Sequence, residues 1–337
     1  MRVLIIGGTG NLSYACSVAA LEAGFEVFNL NRGRQPEQSA PGVITLTADI
    51  RDGDAARTVL GDRRFDAVVD FISYTPEQLQ AGLDLLRDRT DQFCFISTAS
   101  AYRKPPVHPV ITEGTPLDNP YWAYSRAKIA AERLLQAEGR DHGLPYTIVR
   151  PSHTYGRGWL PLACGSSDFT IAARMLAGRE IIVHGDGQSL WTLTHARDFA
   201  AGLVGLLGHP GALGEAVQIM GEEVLTWDVI HHTVARALGV EARIVHVPSD
   251  FIAAVDPDLG EHFLGDKTYS ALFDCTKLKR LVPGFRATIP LHQGVRESVD
   301  WLLADPARQQ VNPRLDQQIE DILAAWRRAM AAAVGAR

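Results

Sequence analysis

Tyr124 and Lys128 are the side chains whose types and spacing most directly suggest chemistry. They lie in a run, 123–136, that reads as helix. A separation of four puts both on one face, one turn apart. An ammonium beside a phenol favours the phenolate and lowers its pKa from the ordinary value of about 10. Such a phenol serves as general acid or base, moving a proton on or off a hydroxyl oxygen. A surface lysine beside a half-buried tyrosine gives the same spacing. The pair therefore gains meaning only if the chain also supplies a hydride carrier and a pocket.

The elements before it supply both. Val3 to Ile6 is a short, wholly apolar run that reads as a buried strand. Gly7-Gly8-Thr9-Gly10-Asn11-Leu12 follows, then a helical pattern over 13–23 closed by Gly24, and a second strand over 26–30. Glycines in a strand–turn–helix unit permit a tight turn and close approach of a diphosphate to free N–H groups at a positive helix end. The third glycine of the usual fingerprint is Ser13 here, still small. The unit points to a dinucleotide, with a structural turn as the alternative.

The end of the second strand bears on which dinucleotide. A carboxylate there binds the adenosine ribose hydroxyls and repels a 2′-phosphate. This chain has Asn31-Arg32-Gly33-Arg34 instead, so NADP is favoured over NAD, because guanidinium groups suit a phosphate. Ordinary loop charges would look the same. Further along, Asp49-Ile50 ends a third strand, placed to bind and cover an adenine, although a helix-capping role competes. Phe71-Ile72-Ser73 ends a fourth strand, and Ser97 to Tyr102 ends a fifth. Carboxyl ends of parallel strands face the ligand crevice. Residues 103–119 form a proline-bearing loop read as a substrate rim, and a sixth strand ends at Pro151-Ser152-His153.

Regular strand–helix alternation to residue 156 predicts an α/β fold, a Rossmann-type doubly wound parallel sheet, with a smaller C-terminal α/β substrate domain. The expected boundaries are 1–156 with about 189–210 for the dinucleotide domain and about 157–188 with 211–310 for the substrate domain. Residues 311–337 form a C-terminal amphipathic helix.

The 337 residues are 46% hydrophobic and 21% charged, enough for a sizeable core. A net charge of −6 offers no basic excess for nucleic acid or an acidic membrane. Four scattered cysteines form neither a zinc pattern nor a disulfide framework, and no metal is expected. The apolar run at the start breaks after four residues, too short for a signal peptide. A cytoplasmic protein without membrane attachment is expected, and a homodimer is left open.

Gly7-Gly8-Thr9-Gly10, Asp49-Ile50, Ser97-Thr98-Ala99, Tyr124-x-x-x-Lys128, Arg150-Pro151, Tyr155-Gly156 and Gly185-Asp186-Gly187 occur in the order found in one family. The chain resembles the extended short-chain dehydrogenase/reductase family, in its nucleotide-sugar epimerase/dehydratase branch. The resemblance implies a nicotinamide cofactor and a sugar or nucleotide-sugar substrate. It makes Thr98, Tyr124 and Lys128 catalytic. It places Gly7, Thr9, Gly10, Asn11, Leu12, Asn31, Arg32, Asp49, Ile50, Phe71, Ile72, Ser73, Pro151 and His153 at the cofactor, together with Tyr124 and Lys128. Ser100, Tyr102, His153, Trp191 and Lys267 are the expected substrate contacts. Ala99-Ser100 stands where dehydratases of the branch carry Asp-Glu, so elimination of water is not expected. The usual diphosphate arginine after Gly187 is replaced by Trp191-Thr192. Epimerisation is placed slightly ahead of simple reduction. A cofactor-binding regulatory or RNA-associated protein without turnover is the alternative from another class.

Overall fold

The computed structural model describes residues 1–34 and 38–335. Strand β1 (Arg2–Ile6) leads through the glycine turn into α1 (Asn11–Glu22), then β2 (Glu26–Asn31) and β3 (Ile44–Thr47). There follow α2 (Gly53–Leu60), β4 (Ala67–Asp70), α3 (Pro76–Leu86), β5 (Phe93–Ile96), a short β6 (Val110–Ile111), α4 (Ala123–His142) and β7 (Tyr146–Pro151). Local chemistry sets several starts. Asp52 caps α2 by accepting from the Ala55 N–H, and Thr75 caps α3, with Pro76 at its first position.

The large sheet has seven strands in the order β11-β7-β5-β4-β1-β2-β3, with β11 spanning Glu215–Ile219. Every pairing in it is parallel. Both faces are therefore covered, which explains why β1 is a continuous apolar run. Val3 and Ile5 face one core with α1, while Leu4 and Ile6 face the other with α3 and α4. Each such buried aliphatic side chain contributes roughly 1.5–3 kcal/mol by leaving water. The chain runs outward from β1 to β3, then returns to lay β4 on the other side of β1. That reversal opens a crevice at the carboxyl ends of β1 and β4.

The second half carries β8 (His153–Tyr155), α5 (Thr170–Leu176), β9 (Glu180–His184), β10 (Leu190–His195), α6 (Ala196–Leu206), β12 (Val224–Thr226), α7 (Trp227–Leu238) and β13 (Arg243–Val247). Then come α8 (Ser249–Val255), α9 (Pro257–His262), a π-helical turn over Phe263–Lys267, β14 (Leu272–Phe273), α10 (Thr276–Leu281), α11 (Leu291–Leu303) and α12 (Pro313–Gly335). Strands β8, β10 and β12 form a small sheet, and β9 pairs with β13. Arg174 of α5, almost fully buried, binds Asp316 and Glu320 and so fastens α12 to the body. The expected terminal helix is thus present as α12, with residues 336–337 outside the described residues.

One domain boundary and the setting of one loop differ from expectation. Residues 215–219 complete the large sheet beside β7 rather than joining a substrate domain, because Val217 and Ile219 bury fully against it. The 103–119 loop is not a free rim. Its β6 pairs with β14, and Glu113 Oε1 accepts the Gln218 N–H at 3.0 Å. Among the described residues no helix is long and apolar enough to cross a membrane.

Candidate active site

The glycine turn sits at the crevice. Gly7 has φ +82°, and a Cβ added there would lie 2.2 Å from Ile72 Cγ2. This position therefore demands glycine for conformation and for space. Ser13 acts as a brace: its Oγ accepts the Gly10 N–H at 2.9 Å and donates to the Gly7 carbonyl at 2.7 Å. A larger third glycine substitute would lose this link. Asn11, at the start of α1, has both side-chain polar atoms buried without partners, and the Asn31 amide nitrogen is likewise unpartnered. Buried polar groups left unpaired are costly. At a helix N-terminus beside a glycine turn, these atoms fit the ribose and phosphate groups of a nicotinamide dinucleotide.

The adenine-side residues are arranged compatibly. Ile50 is buried, and Asp49 accepts the Arg51 N–H at 3.0 Å, while the neighbouring helix is capped by Asp52. Asp49 is thus not the helix cap. Arg32 is exposed after β2, and the Gly33 N–H bonds Asn31 Oδ1 at 2.9 Å. Phe71 packs on the apolar core, and Ser73 donates to Asp70 at 2.5 Å.

Helix α4 presents Tyr124 and Lys128 as its spacing requires. Lys128 Nζ donates to the Ser73 and Ile96 carbonyls, each at 2.7 Å, and is almost fully buried. It therefore bridges the ends of β4 and β5. Burial draws its pKa down to about 8, against the attraction of Asp70 and Glu132.

The Tyr124 phenol does not follow the expectation of a lowered pKa. Burial, then the neighbouring Tyr74 phenol, push it up, with the Thr98 hydroxyl opposing. The physical reason is that the lysine is committed to two backbone carbonyls while the phenol packs among rings. Trp122 lies 4.8 Å away centroid to centroid, tilted by 46°, and His262 in turn lies 4.6 Å from Trp122, tilted by 43°. At neutral pH Tyr124 is a proton donor.

Thr98 and Tyr124 line a cavity of about 350 Å³ with Ser100, His153, Trp191, Asp266 and Lys267. Thr98 Oγ1 lies 3.0 Å from Ser100 Oγ, which accepts from Ser125 Oγ at 2.7 Å. Ser100 is thus part of a hydroxyl chain that orients Thr98. His153 and Pro151 both line this cavity. Burial, then Lys267, lower the His153 pKa to about 3, so its ring is neutral.

One expected substrate contact is corrected. Tyr102 is fully buried away from the cavity, donating to Gln218 Oε1 at 2.9 Å and accepting from Arg150 Nη1 at 3.2 Å. Lys267, another expected contact, lines the cavity, buried and ion-paired to Asp266 at 3.1 Å. Trp191 is 1% exposed, lining the cavity with an unpartnered indole N–H. His195 accepts the Arg197 N–H at 3.2 Å and caps the start of α6.

Sequence reasoning missed Asn119, Trp122, Ser125, His262 and Asp266. Asn119 Nδ2 donates to the Ser100 and Gly265 carbonyls at 2.7 and 2.6 Å, tying the catalytic loop to the π-helical turn. Those partners are up to 146 residues apart, so no local pattern reports them. Trp122 and Ser125 flank Tyr124, and adjacency was the one available signal. Beneath Thr98, Ser97 donates to Glu132 at 2.5 Å, and Arg150 binds the same carboxylate at 3.0 and 2.6 Å.

These features set a threonine, a tyrosine and a lysine beside a glycine-turn crevice on a doubly wound parallel sheet. The chain belongs to the NAD dependent epimerase/dehydratase family, whose model matches residues 3–219. It is 28% identical over 265 residues to the chloroplast stem-loop binding protein of 41 kDa b of Arabidopsis thaliana, covering 74% of this chain and 67% of that one. It is 27% identical over 286 residues to 2'-dehydrokanamycin reductase of Streptomyces kanamyceticus, covering 85% and 80%. The structure of the epimerase Mth375 of Methanothermobacter thermautotrophicus superposes with a TM-score of 0.76 at 16% identity, over 91% of this chain and 93% of that one. At that identity the likeness shows the fold alone.

Proposed function

We propose that the chain is an NADP-dependent reductase or dehydrogenase acting on one secondary alcohol or ketone of a sugar- or cyclitol-like molecule. The observation that carries it is the placement of Thr98 and Tyr124 on one cavity wall, with the Lys128 ammonium anchored beneath at Ser73 and Ile96. The nicotinamide, when bound, supplies or accepts the hydride. Tyr124, protonated in its buried setting, holds the proton that the substrate oxygen gains on reduction. Thr98, steadied by Ser100 and Ser125, donates or accepts a second hydrogen bond at the same oxygen. Lys128 is placed to hold the nicotinamide ribose and to set the potential around the phenol. Arg32, with no carboxylate at position 31, supports NADP.

Epimerisation of a nucleotide sugar, read first from sequence, is weakened because each cation lining this cavity is already ion-paired. The similarity to 2'-dehydrokanamycin reductase over most of both chains supports a reductase acting on a sugar-like molecule. Similarity to the chloroplast stem-loop binding protein supports a second reading, a cofactor-binding, RNA-associated protein without turnover. Tyr124→Phe separates the two. The enzyme reading expects turnover to fall by about 10²–10⁴ with cofactor binding retained. Unchanged turnover, or no alcohol-dependent change in nicotinamide absorbance with any polyol, sinks it.

A further inference from the structure

Trp159 lines the catalytic cavity with Thr98, Ser100 and Tyr124. At 40% exposure it is also the most accessible tryptophan of the chain. The two other indoles of that lining are already occupied. Trp191 is 1% exposed and packs against Trp227, with ring centroids 5.9 Å apart. Trp122 packs against the rings of Tyr124 and His262. Trp159 pairs with no other ring among the described residues, and its indole N–H makes no hydrogen bond among them.

The backbone that carries this indole is held from several sides. Gly156 and Trp159 exchange two backbone hydrogen bonds, at 3.1 and 2.9 Å, and the Gly156 carbonyl also accepts from Ser298 Oγ at 2.8 Å. The Arg157 guanidinium lies over the rings of Tyr14 and Trp301, 4.4 and 5.2 Å from their centroids. Gly158 has φ +80°, and a Cβ added there would lie 2.8 Å from Trp301 Cζ3. Leu160 is wholly buried, and its N–H donates to the Ser166 carbonyl at 3.0 Å. Every residue from 156 to 160 except Trp159 thus has its conformation or its side chain committed to the body of the protein.

An aromatic ring fixed before a ligand arrives loses little freedom on binding. Its face is apolar and carries the negative part of the ring quadrupole, which favours C–H groups laid against it. The Thr98 and Tyr124 hydroxyls in the same lining call for an oxygen. A pyranose or cyclitol ring meets both demands, because its equatorial hydroxyls radiate from the edge while axial C–H groups point from the faces. An open-chain polyol has the oxygens without the face. A protein partner would cover a contiguous apolar patch, whereas Arg157 in the same turn and Ser166 and Ser167 in the same lining are polar.

We infer that Trp159 is the platform on which the reacting sugar or cyclitol ring lays its C–H face, leaving an edge oxygen to meet Tyr124 and Thr98. Trp159 is then a specificity-determining residue that selects rings over open chains. The inference rests on the reading of Tyr124 as the proton-handling group and adds the group that orients the substrate there.

The probes are myo-inositol, methyl β-D-glucopyranoside and sorbitol, each titrated onto protein loaded with NADP⁺. Binding is read from tryptophan fluorescence and turnover from nicotinamide absorbance. At least one ring is expected to bind about tenfold more tightly than sorbitol. Trp159→Ala should raise the dissociation constant and KM of that ring about tenfold, with kcat within about threefold and NADP⁺ affinity kept. Trp159→Phe, which restores an aromatic face, should recover most of the loss. Both variants keep the backbone bonds of the turn, and circular dichroism checks that they fold. Sorbitol binding as tightly as both rings, binding of neither ring, or an alanine variant that binds the ring as the wild type does overturns the proposal. So does a loss confined to NADP⁺ affinity, which would put the indole on the cofactor instead. Tyr124→Phe keeps the two readings apart. Trp159-dependent binding without Tyr124-dependent turnover removes the catalytic reading alone, and Tyr124-dependent turnover indifferent to Trp159 removes this inference alone.

Discussion

Removing the Arg150 guanidinium should expose how much the catalytic strand end depends on charge buried beneath it. Arg150 and Glu132 are 3% and 0% exposed, and the carboxylate also accepts from Ser97, one residue before Thr98. Arg150→Met leaves that carboxylate with a single hydroxyl donor in a dry site. Breaking a buried pair from one side costs about 3–5 kcal/mol. Removing both charges, as Glu132→Leu with Arg150→Met, leaves the Ser97 hydroxyl newly unpaired, while Tyr102 keeps its bond to Gln218 and the Glu113 carbonyl loses only a long 3.5 Å contact. An orphaned hydroxyl costs about 1–3 kcal/mol. The double variant should therefore be more stable than Arg150→Met, by roughly 2 kcal/mol. Urea unfolding followed by tryptophan fluorescence and circular dichroism measures all four members of the cycle. A double variant as unstable as the sum of the single changes would refute the reasoning, since the pair would then be acting as two independent packing groups.

Acid should destabilise the fold before its carboxylates titrate. Burial lowers His153 and His184 to about 3, and His195 and His231 to about 4. Their unfolded pKa is about 6.5, so the unfolded chain binds more protons between these values and stability falls as pH drops from 6.5 towards 4. Calorimetric unfolding at pH 5 in buffers of different ionisation enthalpy should report uptake of roughly four protons from these rings; uptake below about two contradicts neutral buried histidines. Asn31→Asp should shift the ratio of NADP to NAD affinity towards NAD by about tenfold, by placing a carboxylate against a 2′-phosphate. An unchanged ratio measured by cofactor titration would mean that Arg32 and Asn31 do not meet the adenosine ribose.

The parts of this molecule that were legible in its sequence are those decided by neighbours in the chain. The turn from β1 into α1 is one, because Gly7, Gly10 and Ser13 contact one another or the next strand end. The placement of Tyr124 and Lys128 on one helix face is another. Expectation failed wherever a distant partner decides. Lys128 lies one turn from the phenol, yet its ammonium is claimed by carbonyls 55 and 32 residues away. Helical spacing carries no information about them. Tyr102 looked like a cleft residue from its place after β5, but Arg150 and Gln218 draw its hydroxyl inward. The cap resisted reading for the same reason: Asp266 and Lys267 lie on a π-helical turn that becomes part of the site only through Asn119 and Lys104.

Those long-range contacts also bear on the protonation of the phenol. A lysine free to approach Tyr124 would favour a phenolate and proton removal. Fixed at the strand ends, it leaves the buried phenol protonated. The hydroxyl chain from Ser125 through Ser100 to Thr98 holds the second donor without adding an acid. Positions 99 and 100 carry no carboxylate, and the carboxylate that does line the cavity, Asp266, is ion-paired to Lys267. We read that arrangement as suited to one proton moving at one oxygen, as the proposed reduction requires.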